Sequence, residues 1–479
     1  MAIPVSDPKS GAAEPSRTLC LAQFFSGLEF EQLPVEAVEK LKLCILDTLG
    51  CTIFGTSLAS VQKLAAMVGG EGSGDAVVFG SPMRTTPSLA ALINGTSAHA
   101  FQLDEIHLES TLHPGLLALP AALALADGHC TGRELMAAVA AGYEAGIRVG
   151  LAAKGGMFKS GFHNQGTSGV FVATAAAARV LRLSAQQTQH ALGIAGSQAA
   201  GLMAVQDGAM AKSFHSGRAA QSGVYSARLA QLGYTGIPDV LDGAYGTFFP
   251  SFLDDWSESA LTEGLGTQWH LMRVGFKPAP AANGNIVAMT AMDKIMRAHR
   301  LAALDIETVT AHVSANTLHH CGWPYEPDRI QSVLSAQMNL RYGVAVMALE
   351  RNSGAEQFSE AKIRDPNILA FIKRIEVEHD SQFDGDNGGH RIACRLVVRC
   401  KNGEQHQTTV LYRKGSPEDP MTRGELSEKF QALSKRMGRE TSDRIQDIIS
   451  RLEEIDNVSE LSRLLILPQS NNSTALTGK

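Results

Sequence analysis

The 479-residue chain has no cysteine pair at CxxC spacing, no Lys/Arg run and no uninterrupted apolar stretch of membrane-spanning length. Its seven cysteines (Cys20, Cys44, Cys51, Cys130, Cys321, Cys394, Cys400) are odd in number and scattered, which fits reduced core thiols and argues against disulfides or a zinc site. With 42 Lys+Arg against 48 Asp+Glu, a net charge of −6 and a pI near 6.2, the chain lacks the concentrated positive field that nucleic-acid and membrane-surface binders need. No nucleic-acid or membrane partner is expected, whereas a small anion needs only one local basic pocket. The most apolar stretches, Gly115 to Ala126 and Gly169 to Val180, fall short of the roughly 18 residues of a span, and Pro120 interrupts the first. The start, MAIPVSDPKSGAAEPSR, is polar and Pro-rich without the apolar centre of a signal peptide, so a cytoplasmic location is expected. On that reading N-x-S/T triplets such as Asn94-Gly95-Thr96 carry no glycan.

Several catalytic signatures are missing as well. Without a G-x-x-x-x-G-K-[ST] loop, Asp104-Glu105-Ile106-His107 cannot work as a helicase box. Gly193 to Gly201 lacks the dinucleotide-binding spacing and follows a helical pattern, not a strand. Neither G-x-S-x-G nor H-E-x-x-H occurs, which removes the commonest serine-hydrolase and zinc-protease readings. His319-His320-Cys321 reads as a turn before Trp323-Pro324, because adjacent side chains seldom face one ion. No metal site is expected from these spacings.

What is present is helical periodicity from Ser16 to about Leu265. In Pro34 to Gly50 the apolar residues Val35, Val38, Leu41, Cys44, Ile45 and Leu49 recur at spacings of three and four, with a Pro to start and Gly50 to stop. Similar runs occupy Thr131 to Ala152, Thr167 to Leu183, Ser184 to Ser197 and Ser213 to Leu232, many with Ala and Gly where large side chains could sit, so helix axes can approach closely. Around Trp269 the character changes. His270 to Phe276, Ile306 to Val313, Arg374 to Glu378, Arg391 to Cys400 and Gln405 to Tyr412 predict strands, the last two joined at Asn402-Gly403 as a hairpin, while Asn285 to Arg300 and Gln331 to Glu350 predict helices. Thr422 to Leu467 is helical again. The expected organisation is a tail (1–15), a helical domain (16–267), a smaller α+β domain (268–414), the C-terminal part of the helical domain (415–467) and a second tail (468–479).

Two segments concentrate ionisable groups among small and apolar residues. Between His99 and Gly115 lie three histidines and three carboxylates, closed by His113-Pro114-Gly115, a pattern suited to a polar pocket where a helix breaks into a loop. Within this segment His99 and Asp104 are expected to shape the helix end. In Met210 to Arg218, Lys212 and His215 share one helical face, and a lysine at a helix start among small neighbours can meet a ligand carboxylate.

Leu43-Cys-Ile-Leu-Asp47-Thr-Leu-Gly50, Asn94-Gly95 leading to His99 and Asp104-Glu105, His113-Pro114, Ala191-Leu-Gly-Ile-Ala195, and Lys212 through Gly217-Arg218 together resemble the MmgE/PrpD family over nearly the whole chain. The resemblance implies a mainly α fold, with a large all-helical domain built from both chain ends and an inserted α+β lid. It also implies a homodimer, and a cleft site working without metal or organic cofactor. The family's activities, dehydration of 2-methylcitrate, decarboxylation of cis-aconitate and epimerisation of iminodisuccinate, form or quench a carbanion next to a carboxylate. They imply a cofactor-independent lyase on a small anionic di- or tricarboxylate, with an epimerase as the alternative and a non-catalytic helical scaffold as a third reading. Matched residue by residue, His113, His163 and Lys212 are the implied catalytic groups. Gln102 stands where the family pattern usually has Asp, and Ala282 where it often has a lid His. Gln102, His107 and Tyr143, with Lys277 and Arg341 from the lid, complete the expected substrate contacts.

Overall fold

In the computed structural model the described residues are 15–126, 128–326, 332–384 and 390–467; the two expected tails, apart from Pro15, lie outside them, as does Gln331. The fold is mainly helical, and its helices gather around two large apolar cores, with two small clusters beside them. The first draws on residues from Leu21 to Phe276 and again from Met421 to Leu465. The second is built almost wholly from Ala279 to Val410, joined by Cys51, Phe101, Leu103 and Leu433.

Small residues decide how closely the helices of the first core pack. The Pro87–His99 and Ala211–Gln231 helices cross at Gly95 and Gly217, where a Cβ added to Gly217 would stand 2.1 Å from Thr96 Oγ1 and 2.2 Å from the Leu92 carbonyl oxygen. This crossing brings the helix end at His99 beside the helix start at Lys212. A Gly217→Ala substitution has to push the two backbones apart. It is expected to cost about 1–3 kcal/mol and lower Tm by a few degrees in a calorimetric scan, and an unchanged Tm would refute the tight crossing. The 21-residue Gly132–Ala152 helix is long and apolar enough to span a bilayer by composition, but 94% of its apolar window is buried inside the protein. Its N-terminus carries a capping box between Thr131 and Glu134.

The second core packs the Asn283–Ala298 and Leu340–Glu350 helices on a four-stranded sheet with the order Ile375–His379, Ile306–Val313, Cys394–Cys400, Gln405–Val410. The first pair is parallel and the others antiparallel, with the expected hairpin at residues 401–404. Along Ile306–Val313 the alternating Val309, Ala311 and Val313 face the core.

Three expectations are corrected. His270 to Phe276 is not a strand: His270–Arg273 forms a 3₁₀ turn and only Val274–Gly275 pairs, with Ile106–His107. The helix expected over Gln331 to Glu350 breaks into Val333–Gln337 and Leu340–Glu350, because the Asn339 side chain accepts from Tyr342 N and starts a new helix. Gly50 does not stop its helix, which continues to Gly55, since a glycine inside a buried helix makes room for Phe430 against its surface. Cys44, Cys51, Cys321, Cys394 and Cys400 are buried free thiols.

Candidate active site

Between the two cores lies a cavity of about 100 Å3. His99, Gln102, His113, His163, Lys212 and Lys277 line it, with Asn283, His320 and Met338 from the second core's side. The loop from Ala100 to Pro114 supplies much of this wall and has almost no regular structure of its own. Other segments hold it. Lys429 donates to the Leu103 carbonyl at 2.7 Å and pairs with Asp47 at 2.6 Å, Asp47 accepts from Glu105 N, and Gln337 Nε2 donates to the Phe101 carbonyl at 3.0 Å. Gly115 N donates to Glu105 Oε1 at 2.8 Å, a contact only a glycine permits there, since a Cβ would stand 2.7 Å from that oxygen and 2.5 Å from the Tyr143 hydroxyl.

Gln102 sits in the left-handed region at φ 59°, which costs a non-glycine residue about 1–2 kcal/mol. That turn aims its two oxygens at two lysines: the side-chain Oε1 accepts from Lys212 Nζ at 2.5 Å and the backbone oxygen from Lys277 Nζ at 3.2 Å. Gln102 Nε2 donates to the His99 carbonyl at 3.1 Å, so the amide orientation is fixed by its partners. Both lysines are buried, and neither has a carboxylate as direct partner at this residue. Burial, and then the charge of Lys277, brings Lys212 down to about 7; burial outweighs the pull of Asp104 and brings Lys277 to about 8. Two ammoniums held at such cost are a receptor for a polyanion.

Opposite them, one oxygen of Asp104 lies 3.0 Å from His99 Nδ1 and 2.7 Å from His113 Nδ1, all three residues being buried. Burial works to raise Asp104, but the two imidazoles hold it well below the carboxylate range. Burial lowers His113 to about 4 despite Asp104, and His163 is lowered well below an ordinary histidine by burial and by His99 and Lys212. Neutral imidazoles beside a fixed carboxylate are placed to take up or release a proton.

Of the residues named from sequence, Gln102, His113, His163, Lys212 and Lys277 meet in the cavity. Three do not line it. Tyr143 stands behind the loop, donating to Glu105 Oε1 at 2.6 Å. His107 turns away, its Nδ1 at 2.9 Å from Ser110 Oγ, because its strand pairs with Val274–Gly275. Arg341 donates to the Gly322, Trp323 (2.9 Å) and Ile375 (3.2 Å) carbonyls and staples the second core. His99 reaches the cavity wall as well as ending its helix, and Asp104 stands behind that wall between His99 and His113. His320 belongs to the wall as well. Its segment is the Ala315–Cys321 helix and not a turn, because the Ser314 side chain caps it at Thr317 N. Only the third-and-fourth spacing from Ser314 could have signalled that helix.

His99, Asp104 and His113 each offer one ligand atom within 4.8 Å of one another, so a group capable of holding a cation does exist, contrary to the expectation from linear spacing. The left-handed turn at Gln102 brings residues five and nine apart onto one point. Lys212 and Lys277 share the cavity and oppose a further cation there.

A larger cavity of about 540 Å3 shares Ile106, Thr111, Phe158, Asn283 and His320 with the inner one and leads outward past Lys159 and Arg391. The buried histidines make stability depend on pH. His107, His113 and His320 sit near 4 when folded and near 6.5 when unfolded, so the unfolded chain binds their protons first as pH falls. Glu105 and Glu144, raised to about 7 by burial, oppose this in smaller number. Stability is therefore expected to fall on acidification from 6.5 towards 4.5 by on the order of 1 kcal/mol per pH unit, checked by denaturant melts; a flat or rising profile would refute it.

Comparison with known proteins gives the family. Residues 20–259 match the MmgE/PrpD N-terminal domain and residues 280–454 the MmgE/PrpD C-terminal domain. A cis-aconitate decarboxylase-like protein of Aspergillus oryzae is 30% identical, over 93% of this chain and 96% of that protein. Cis-aconitate decarboxylases of Aspergillus terreus and Homo sapiens are each 28% identical, with 97% of both chains covered in the first case and 94% in the second.

Proposed function

Because the chain belongs to the MmgE/PrpD family, we propose that it is a cofactor-independent lyase that decarboxylates cis-aconitate or a close di- or tricarboxylate. The observation that carries this reading is the convergence of Lys212 and Lys277 on the two oxygens of uncharged Gln102. A substrate carboxylate replaces the Gln102 amide oxygen on Lys212, and a second is met by Lys277. In a buried site these charges act with little screening, and they stabilise the electron-rich carbon that forms next to a carboxylate. One C–C bond breaks, carbon dioxide leaves, and the electron pair left on carbon is taken by one proton from the histidine side of the cavity, where His113 and His163 stand.

In this reading the unit around the second core is a lid that brings Lys277, Asn283 and His320 over the substrate, and its seating excludes water. The enzyme is cytoplasmic and works as a homodimer. The test is product analysis in heavy water with cis-aconitate, 2-methylcitrate stereoisomers and iminodisuccinate, followed by NMR and mass spectrometry. Carbon dioxide release with one carbon-bound deuterium in the product is the expected result. Deuterium exchange with inversion and no carbon dioxide would replace the lyase by an epimerase.

A further inference from the structure

Decarboxylation consumes one proton per turnover, which forms one C–H bond on the carbanion left when carbon dioxide departs. In a cavity of about 100 Å3 that proton needs a path from solvent. One histidine contact supplies the geometry. His163 lines the cavity, and its Nδ1 lies 3.1 Å from Nδ1 of His215, with the ring centroids 5.3 Å apart. His215 is partly exposed and is not among the cavity-lining residues, whereas the ring of His99 lies on the cavity side, 5.7 Å from that of His163.

The contact is built by the fold. His215 is on the same helix as Lys212, three residues further along, and His163 is fixed through its backbone N–H, which donates to the Gly201 carbonyl at 3.0 Å. Gly201, at φ 141°, lets the two segments meet, since a Cβ there would stand 3.1 Å from His215 Nδ1. Burial, followed by neighbouring positive charge, lowers both imidazoles below their ordinary value. Two neutral imidazoles joined through Nδ1 form an N–H···N bond with one donor and one acceptor, which is one proton hop long.

We propose that His215 is a relay that carries protons from solvent to His163, which in turn protonates the carbanion. The inference rests on the decarboxylase reading. In each turnover a solvent proton binds His215 at Nε2, the Nδ1 proton of His215 passes to His163 Nδ1, and the Nε2 proton of His163 passes to carbon. The hydrogen bond between the rings is left reversed. It resets once product leaves: His163 takes a proton at Nε2 from water in the open cavity, its Nδ1 proton returns to His215, and His215 releases its Nε2 proton. One proton is consumed overall, matching the one C–H bond formed.

The experiment compares the full-length wild type with His215→Asn and His215→Ala, using cis-aconitate with imidazole as the added proton carrier. Both variants should lose about 10- to 100-fold in kcat with KM changed by less than about threefold. Their kcat should rise with imidazole concentration at fixed pH and ionic strength, while that of the wild type does not. Restoration by Asn without any buffer dependence would reduce His215 to a positioning role, and an unchanged kcat in both variants would remove it altogether. A wild type that releases no carbon dioxide fails the decarboxylase reading itself. Independently of turnover, ¹⁵N NMR of the wild type should show one bonded Nδ1 donor–acceptor pair that is lost in His215→Asn; two unbonded rings would overturn the contact.

Discussion

Lys212→Met lowers kcat/KM by about 10²–10³, the loss expected when a preorganised charge facing the developing anion is removed. The side chain is buried and its ammonium is already costly to hold, with burial bringing it down to about 7, so a neutral chain of similar length relieves that cost. Tm stays level or rises by a few degrees. The wild type should also show an alkaline limb. Protonated Lys212 binds the carboxylate, and the free enzyme loses that proton as pH rises through about 7, so kcat/KM falls above it. Lys212→Arg keeps its charge throughout this range and should move the limb upward, leaving the later one set by Lys277 near 8. Retention of more than a tenth of wild-type kcat/KM in Lys212→Met would remove the residue from the mechanism.

The second large effect is expected at Asp104. Asn in its place keeps the shape but not the charge that faces His99 and His113 at 3.0 and 2.7 Å. Asp104 supplies the main upward pull on His113, which burial already holds near 4, so without it the imidazolium becomes still harder to form. A loss of about 10³ in kcat is expected, the scale seen when the carboxylate that orients an active-site histidine is neutralised. Removing that negative charge favours an anion in the cavity but also lowers Lys212 and Lys277, which Asp104 holds up, so KM is compared at acidic pH, where the lysines keep their protons, and there it should stay level or fall. That split separates the effect from misfolding, which would not improve binding. Steady-state kinetics with a kcat within tenfold of wild type would overturn the assignment.

Helices such as Gly132–Ala152 and the Asn402-Gly403 hairpin were readable because local periodicity and turn chemistry determine them. His113 and Lys212 were readable because ionisable groups stand out among small residues, and His163 only through the family likeness. His107 lies in the same segment as His113, and Tyr143 on the Gly132–Ala152 helix, yet both stand behind the site, and sequence position cannot distinguish a residue facing a cavity from one facing a carboxylate such as Glu105. Arg341 is a cation that the fold uses on backbone carbonyls. Its charge alone gave no sign of that.

By itself, then, the sequence determined most of the helical and strand elements, the small-residue crossings and the set of charged side chains near the site. Tertiary structure decided which of those side chains share a cavity. Within the loop from Ala100 to Pro114 backbone hydrogen bonds close only the turn between His107 and Leu112, so the course of the rest depends on Lys429, Gln337, Lys277 and the pairing with Val274–Gly275. The left-handed turn at Gln102 and the arrival of His320 rest on contacts between residues distant in the chain, whose energies no local pattern records, and that turn in its place lets His99 and His113 meet at Asp104.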